Sequence, residues 1–158
     1  DTMLERTSNV RELFPDRYTE VKTGDRVERH WFVENLTLAE IKQLDAGSWF
    51  DPKFAGAKML TFQEAIELVK GKAGLFPVIK MPSRFRAKGF DPEQMVADIL
   101  NKNGRVGATF NGRPAVHLQV FEEDSVRRLA TVLPEGAMMT MAWPSGRMAI
   151  NRASPALA

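Results

Sequence analysis

The sequence predicts an α/β fold built on parallel strands, and three observations carry that reading. Between residues 61 and 143, short apolar runs alternate with amphipathic stretches of helical period. The apolar runs are hydrophobic at successive positions, the pattern of strands covered on both faces by helices. Each helical stretch opens on its own capping signal. Strand, helix, strand, helix, strand in that order calls for parallel strands and right-handed crossovers. Three parallel strands cannot close a (β/α)8 barrel, which takes about 250 residues. The segment is therefore either a small open sheet or an arc of a barrel.

The first sixty residues read as irregular. LFPDRYTEVKTGDRVERHW carries turn formers at Pro15-Asp16 and Gly24-Asp25 among alternating charges. One helix stands out, TLAEIKQLDAG: Thr37 and Glu40 form a capping box, Leu38, Ile41 and Leu44 share a face, and Gly47 stops it. The following SWFDPKFAGAKML is a loop whose aromatics are expected to pack down. TFQEAIELVKG begins the regular half, with Thr61 and Glu64 as a second capping box and Ala65, Ile66 and Val69 as its apolar stripe. AGLFPVIK (73–80) is the first strand. FDPEQMVADILNKNG is the next helix, with Asp91 as N-cap, Pro92 at the first helical position, Met95, Val96, Ile99 and Leu100 inward, and Asn103-Gly104 as terminator. PAVHLQVF (114–121) is the second strand, EEDSVRRLATVLP a helix with acids in its first turn, and AMMTMAW (137–143) the third strand.

Composition excludes several classes. At 158 residues the chain can bury a real core. It has no cysteine, hence no disulfide, thiolate zinc site or cysteine nucleophile. No apolar run reaches the roughly 20 residues of a membrane-spanning helix. Lys plus Arg number 22 against 20 Asp plus Glu, scattered without a basic stripe, which speaks against nucleic acid as a partner. The chain starts at Asp1 with no signal peptide in DTMLERTSNV, and it ends in NRASPALA; both ends are expected to be cuts through a larger protein.

Chemistry in α/β proteins gathers at the C-terminal ends of strands. Lys80 ends the first strand, and position alone leaves two roles open, a snorkelling rim residue or an anion-binding lysine. Gln119 and Phe121 end the second strand; Gln119 shares a face with His117 and either lines a site or satisfies backbone groups. Trp143 ends the third and reads as packing. His30 reads as a surface residue of a charged loop, and His117 as a buried histidine with one hydrogen-bond partner. Glu122, Glu123 and Asp124 open a helix, so the dipole accounts for them. Arg84 and Arg86 make SRFRAK a basic loop near Lys80, either solvated or a phosphate site.

Taken in order, DTMLERTSNV, LFPDR, TLAEIKQLDAGSWF, LTFQEAIELVKGKAGLFPVIKMP and VHLQVFEEDSVRRL resemble the glycerophosphodiester phosphodiesterase family, particularly its longer bacterial, often periplasmic form. The resemblance runs from Asp1 to about Trp143. It implies a partial TIM barrel with residues 1–60 as an insertion and 61–158 as β/α units of one domain. It further implies hydrolysis of a glycerophosphodiester to an alcohol and glycerol 3-phosphate, a divalent cation (Ca²⁺ or Mg²⁺), a histidine pair as acid and base, and a periplasmic or extracellular setting. Under it, Asp1 is the aspartate of the family's His-Asp pair, with the catalytic histidine just upstream. A His-Arg-Gly motif and a Glu-x-Asp metal pair lie farther upstream, and the last three strands lie beyond Ala158. Lys80 is the family's third-strand lysine. Gln119 and Phe121 correspond to its fourth-strand pair and Arg6 to a structural arginine; Lys80 and Asp1 are then expected to be catalytic, and Gln119, Phe121 and, from the basic loop, Arg84 to bind substrate.

One departure matters. The family has a metal-holding glutamate two residues before that lysine, and this chain has Val78 there. Two readings follow: a metal-dependent phosphodiesterase of which this is the central segment, or a family member that binds phosphodiesters or serves structurally without turnover. The isolated segment is expected to be inactive. An outside reading, a small open α/β binding domain, requires a complete sheet with protected edges, whereas a barrel arc exposes its edge strands.

Overall fold

The computed structural model describes residues 2–133 and the backbone of 138–141. The chain folds as two compact units, Asp1–Thr61 and Phe62–Ala158.

In the first unit, α1 (Val10–Leu13) is followed by a hairpin of β1 (Thr19–Thr23) and β2 (Arg26–His30), then by α2 (Leu38–Ile41). The hairpin is a difference from the irregular segment expected. Its register closes Thr23 on Arg26, leaving Gly24-Asp25 as a two-residue loop. Gly24 sits at φ +62, the left-handed first position that such loops demand. Charged residues fill both strands because nearly every side chain is exposed, so hydrophobic alternation could not announce them. The core of this unit is Leu4, Val10, Trp31, Leu36 and Leu44. The Trp31 indole N–H donates to the Phe14 carbonyl at 2.7 Å. His30 lies in β2 rather than in a surface loop. Its Nδ1 is 2.8 Å from the Glu5 carboxylate and its Nε2 3.4 Å from that of Glu28.

The capping box of Thr37 and Glu40 forms as expected, but the helix ends after one turn and Leu38 is exposed. Asp45 explains the early stop. Its backbone exchanges hydrogen bonds with Asn9, and its carboxylate accepts from the N–H groups of Gly47, Ser48 and Gly56 and from the Ser48 hydroxyl. These four bonds hold it well below the usual carboxylate range. Gly47 does not cap the helix. A Cβ there would sit 2.0 Å from the Phe54 carbonyl oxygen, so glycine is needed for a close crossing of the loop. The loop's aromatics do not pack down: Trp49, Phe50 (70% exposed) and Phe54 contact one another at 5.7 and 5.9 Å and stay in water.

The second unit runs α3 (Phe62–Val69), β3 (Val78–Ile79), α4 (Pro82–Arg86), α5 (Pro92–Lys102), β4 (Thr109–Phe110), β5 (Arg113–Pro114), β6 (His117–Val120), α6 (Glu123–Val132) and β7 (Met138–Met141). Strands β3, β6 and β7 form a parallel sheet in the order β3-β6-β7. The first strand is shorter than the 73–80 expected. Pairing begins at Leu75 opposite Val116, but Pro77 has no N–H and removes one rung of the ladder. The second is shorter as well. Asn111 and Gly112, both at positive φ, turn a small β4–β5 hairpin that takes up Arg113 and Pro114.

Helix α5 has the expected start, with the Asp91 carboxylate accepting from the Gln94 N–H and Pro92 in its first turn. Its inward face is Glu93, Ala97 and Leu100, with Val96 and Ile99 at the margin; Met95 is exposed, contrary to expectation. The core gathers Ile66, Ile79, Ala97, Leu100, Val116, Leu118, Val120, Val126, Leu129 and Leu133. Burial along β6 alternates, so helices cover one face of these strands, not both as the apolar runs suggested. SRFRAK is not a loop: most of it is α4.

Candidate functional site

The uncovered face of β3 and β6 collects the residues singled out above. Val78 stands opposite Gln119 and Ile79 opposite Val120. With Leu75 opposite Val116, the offset is constant, so Phe76 faces His117 and Lys80 faces Phe121. Contacts at both ends agree. The Phe76 ring meets the His117 ring edge-on at 4.9 Å, and the Lys80 ammonium sits 4.9 Å from the Phe121 ring centre. Period-two alternation therefore places Phe76, Val78 and Lys80 on one strand beside His117, Gln119 and Phe121 on the next, all on the face away from the core.

The gradient along this face is chemical. At its N-terminal end Phe76 covers His117, and burial holds that imidazole below its ordinary range, favouring the neutral ring. In the middle Val78 and Gln119 are half-buried. At the C-terminal end Lys80 is exposed, and its cation–π contact keeps the ammonium near the strand mouth without removing it from water. An anion arriving there would meet one positive charge and one amide.

Arg84 lies in α4, half-buried. Arg86 does not face the mouth. It turns into a carboxylate cluster: Nη1 donates to Glu93 and to the Ser125 hydroxyl (3.1 Å), and Nη2 to Asp124 at 2.9 Å. Glu122 lies 3.7 Å from the same guanidinium, so Arg86 is spent on internal pairing. The acidic triplet does more than meet the helix dipole. The Glu122 carboxylate accepts from the Ser83 N–H at 3.0 Å and the Ser83 hydroxyl at 2.9 Å, joining the two turns that follow β3 and β6. Neither the Glu93 cluster nor this bridge announced itself in the sequence; a glutamate at an inward position of α5 was the available signal. Asp1 and Trp143 lie outside the described residues, and Arg6 is exposed in the turn after Glu5.

A divalent cation prefers several oxygen ligands, carboxylates above all. Among the described residues no group of three carboxylates or histidines is placed to hold a metal ion, the carboxylates around Arg86 being taken up by its guanidinium, and the face beside Lys80 offers Val78 and the Gln119 amide. The described residues thus do not fit a cation by themselves.

YhdW of Bacillus subtilis is 37% identical over 73 residues, 44% of this chain and 30% of that protein. A second Bacillus subtilis protein, named glycerophosphodiester phosphodiesterase, is 30% identical over 112 residues, 65% of this chain and 36% of the relative. The crystal structure of a glycerophosphodiester phosphodiesterase from Agrobacterium tumefaciens superposes with a TM-score of 0.54 at 22% identity, over 84% of this chain and 42% of that one. The chain thus spans about a third of the length of these curated relatives. The fold they imply is a TIM-barrel-like α/β architecture, of which the described residues hold three parallel strands and no closed barrel. In such a barrel the face bearing Val78, Lys80, Gln119 and Phe121 points inward, with its C-terminal end at the rim of the barrel. The glycerophosphoryl diester phosphodiesterase family model matches residues 1–148, and the chain belongs to that family.

Proposed function

We propose that the protein containing this chain hydrolyses glycerophosphodiesters to an alcohol and glycerol 3-phosphate, and that this chain supplies part of the substrate-binding mouth. The observation that carries the reading is the Lys80 ammonium held over Phe121 at the C-terminal end of paired parallel strands, next to Gln119. A phosphodiester carries one negative charge, and more gathers on its oxygens as a nucleophile adds. A fixed ammonium at the mouth stabilises that build-up without having to reorganise. The Gln119 amide can donate to a phosphoryl or glycerol oxygen, and Phe121 gives the carbon skeleton an apolar wall. Arg84 is proposed on the substrate side of the same rim. Asp1 is proposed to serve with the family's acid–base histidine, by resemblance alone.

The family's divalent cation would neutralise phosphoryl charge when bound. A second reading is favoured by one observation: Val78 occupies a position on the mouth-facing side of β3, where the family carries a glutamate. A valine there cannot ligate, so a member that binds phosphodiesters without turning them over is the alternative.

The two part on one assay. The whole protein is incubated with glycerophosphocholine, with and without Ca²⁺, and glycerol 3-phosphate release is followed. Turnover that falls by at least about tenfold in Lys80→Ala supports the enzyme reading. A folded protein that releases nothing in either condition, yet binds the diester by calorimetry, establishes the alternative.

A further inference from the structure

We propose that Glu122 is a positioning residue: its carboxylate ties the turn after β6 to the turn after β3, and thereby fixes the Lys80 ammonium against Phe121. Its functional consequence rests on the phosphodiesterase reading; its geometry does not.

The turn that carries Lys80 holds an uncommon backbone conformation. Met81, the next residue, sits at φ +48, a left-handed conformation that bulky side chains rarely adopt. It also precedes Pro82, which disfavours helical backbone in its predecessor. Such a residue persists only when its surroundings over-determine it. Within the chain segment, the Arg84 N–H donates back to the Met81 carbonyl at 3.0 Å. From outside, Glu122 grips the segment two residues past Met81, with one oxygen on the Ser83 N–H and the other on its hydroxyl. Glu122 directly follows Phe121, the ring under Lys80. The two turns are therefore joined at two successive points, Lys80 on Phe121 at 4.9 Å and Ser83 on Glu122 at 2.9 and 3.0 Å. Arg86, one helical turn beyond Ser83, backs the carboxylate from the far side at 3.7 Å.

The alternative role for Glu122 is its negative charge at the N-terminus of α6. The two roles separate on a conservative change. Glu122→Gln keeps an oxygen for the Ser83 N–H and gains an N–H for the Ser83 hydroxyl, but loses the charge. Glu122→Ala loses both.

The test uses the whole protein with selectively labelled lysine. The ε-CH2 protons of Lys80 should be shifted upfield by the Phe121 ring. In Glu122→Ala that shift collapses, and kcat toward glycerophosphocholine falls roughly ten- to hundredfold with KM nearly unchanged, because the charge is displaced and not removed. Glu122→Gln restores both. The proposal is overturned if Glu122→Ala keeps the parent shift and kcat, or if Glu122→Gln fares as badly as Ala. Should Glu122→Ala fail to fold, Ser83→Ala removes the hydroxyl arm from an exposed position; a partial loss of the shift is expected, and an unchanged shift counts against the bridge. If the parent has no turnover, the phosphodiesterase reading falls, and the ring-current shift alone decides the bridge.

Discussion

Replacing Arg86 by Met should be the most damaging single change in the second unit. Glu93 is 0% exposed and Arg86 19% exposed. Among the described residues, the guanidinium supplies the one hydrogen bond from a charged donor that reaches the Glu93 carboxylate. Once it is gone, the nearest remaining cation is Arg128, whose Nε lies 3.9 Å from the other carboxylate oxygen. That distance is too long for a hydrogen bond, and neither atom has a partner. A buried carboxylate stripped of its partner costs about 3–5 kcal/mol. For a chain of this size that lowers the melting temperature by roughly 6–20 °C. The reverse change is milder. Glu93→Leu leaves an arginine that still holds Asp124 at 2.9 Å and Glu122 at 3.7 Å, for a loss of about 1–2 kcal/mol. Arg86→Met combined with Glu93→Leu should therefore be more stable than Arg86→Met alone. Thermal melts of parent, both single variants and the double variant read this cycle. If Arg86→Met melts within about 2 °C of the parent, or the double variant loses as much as the two singles together, the buried charge is not what holds α4 to α5.

Three further outcomes are expected. Burial works against the charge of Glu5, but its hydrogen bonds to His30 and to the Trp31 N–H prevail and lower it; the same contact raises His30. A raised histidine stabilises below its unfolded pKa and loses that contribution as pH rises through the folded value. A lowered glutamate stabilises above its unfolded value and loses that as pH falls. Urea midpoints of the parent should therefore fall between about pH 6 and about pH 8, and His30→Gln should flatten the fall; an unchanged slope would remove the pair from the account. Asp45→Asn should speed amide exchange at Gly47, Ser48 and Gly56 by at least about tenfold while the β6 amides stay protected, since only the loop rests on that carboxylate; protection retained at all three amides would refute its role. Gly47→Ala should destabilise by roughly 1–3 kcal/mol in urea melts, because the new methyl meets the backbone of Phe54 and no flexible side chain can yield. A neutral result would mean the crossing is looser than 2.0 Å implies.

How much of the fold could be read from the residues depended on how local each signal was. The Thr37 and Glu40 capping box and the Asp91-Pro92 helix start are contacts within four residues, and both formed. Helix α2 was overextended because its end is set by Asn9 holding Asp45 across 36 residues, which no window along the chain can see. The β1–β2 hairpin went unrecognised because solvent reaches nearly every side chain, which left Gly24-Asp25 as its only local mark. Asn111-Gly112 is a stronger mark of the same kind, and it shortened the second strand.

The site divides along the same line. That Lys80, Gln119 and Phe121 share one face was legible because strand alternation and parallel register are both periodic, and a constant offset of pairing converts positions into neighbours. Apolar succession does not by itself imply helices on both faces, because it also suits a strand with one face on helices and the other turned away from the core. Phe76 and Val78 belong to that second face. The bridge from Glu122 to Ser83 was illegible in principle, since it spans 39 residues and joins two turns whose sequences show only an acid and a serine. Periodicity thus tells which side chains face the mouth, while long-range polar contacts decide how firmly they are held. The apolar side chain of Val78 opposite Gln119 belongs to the first kind of information. The Glu122 contact belongs to the second and bears on how the turns after β3 and β6 are joined.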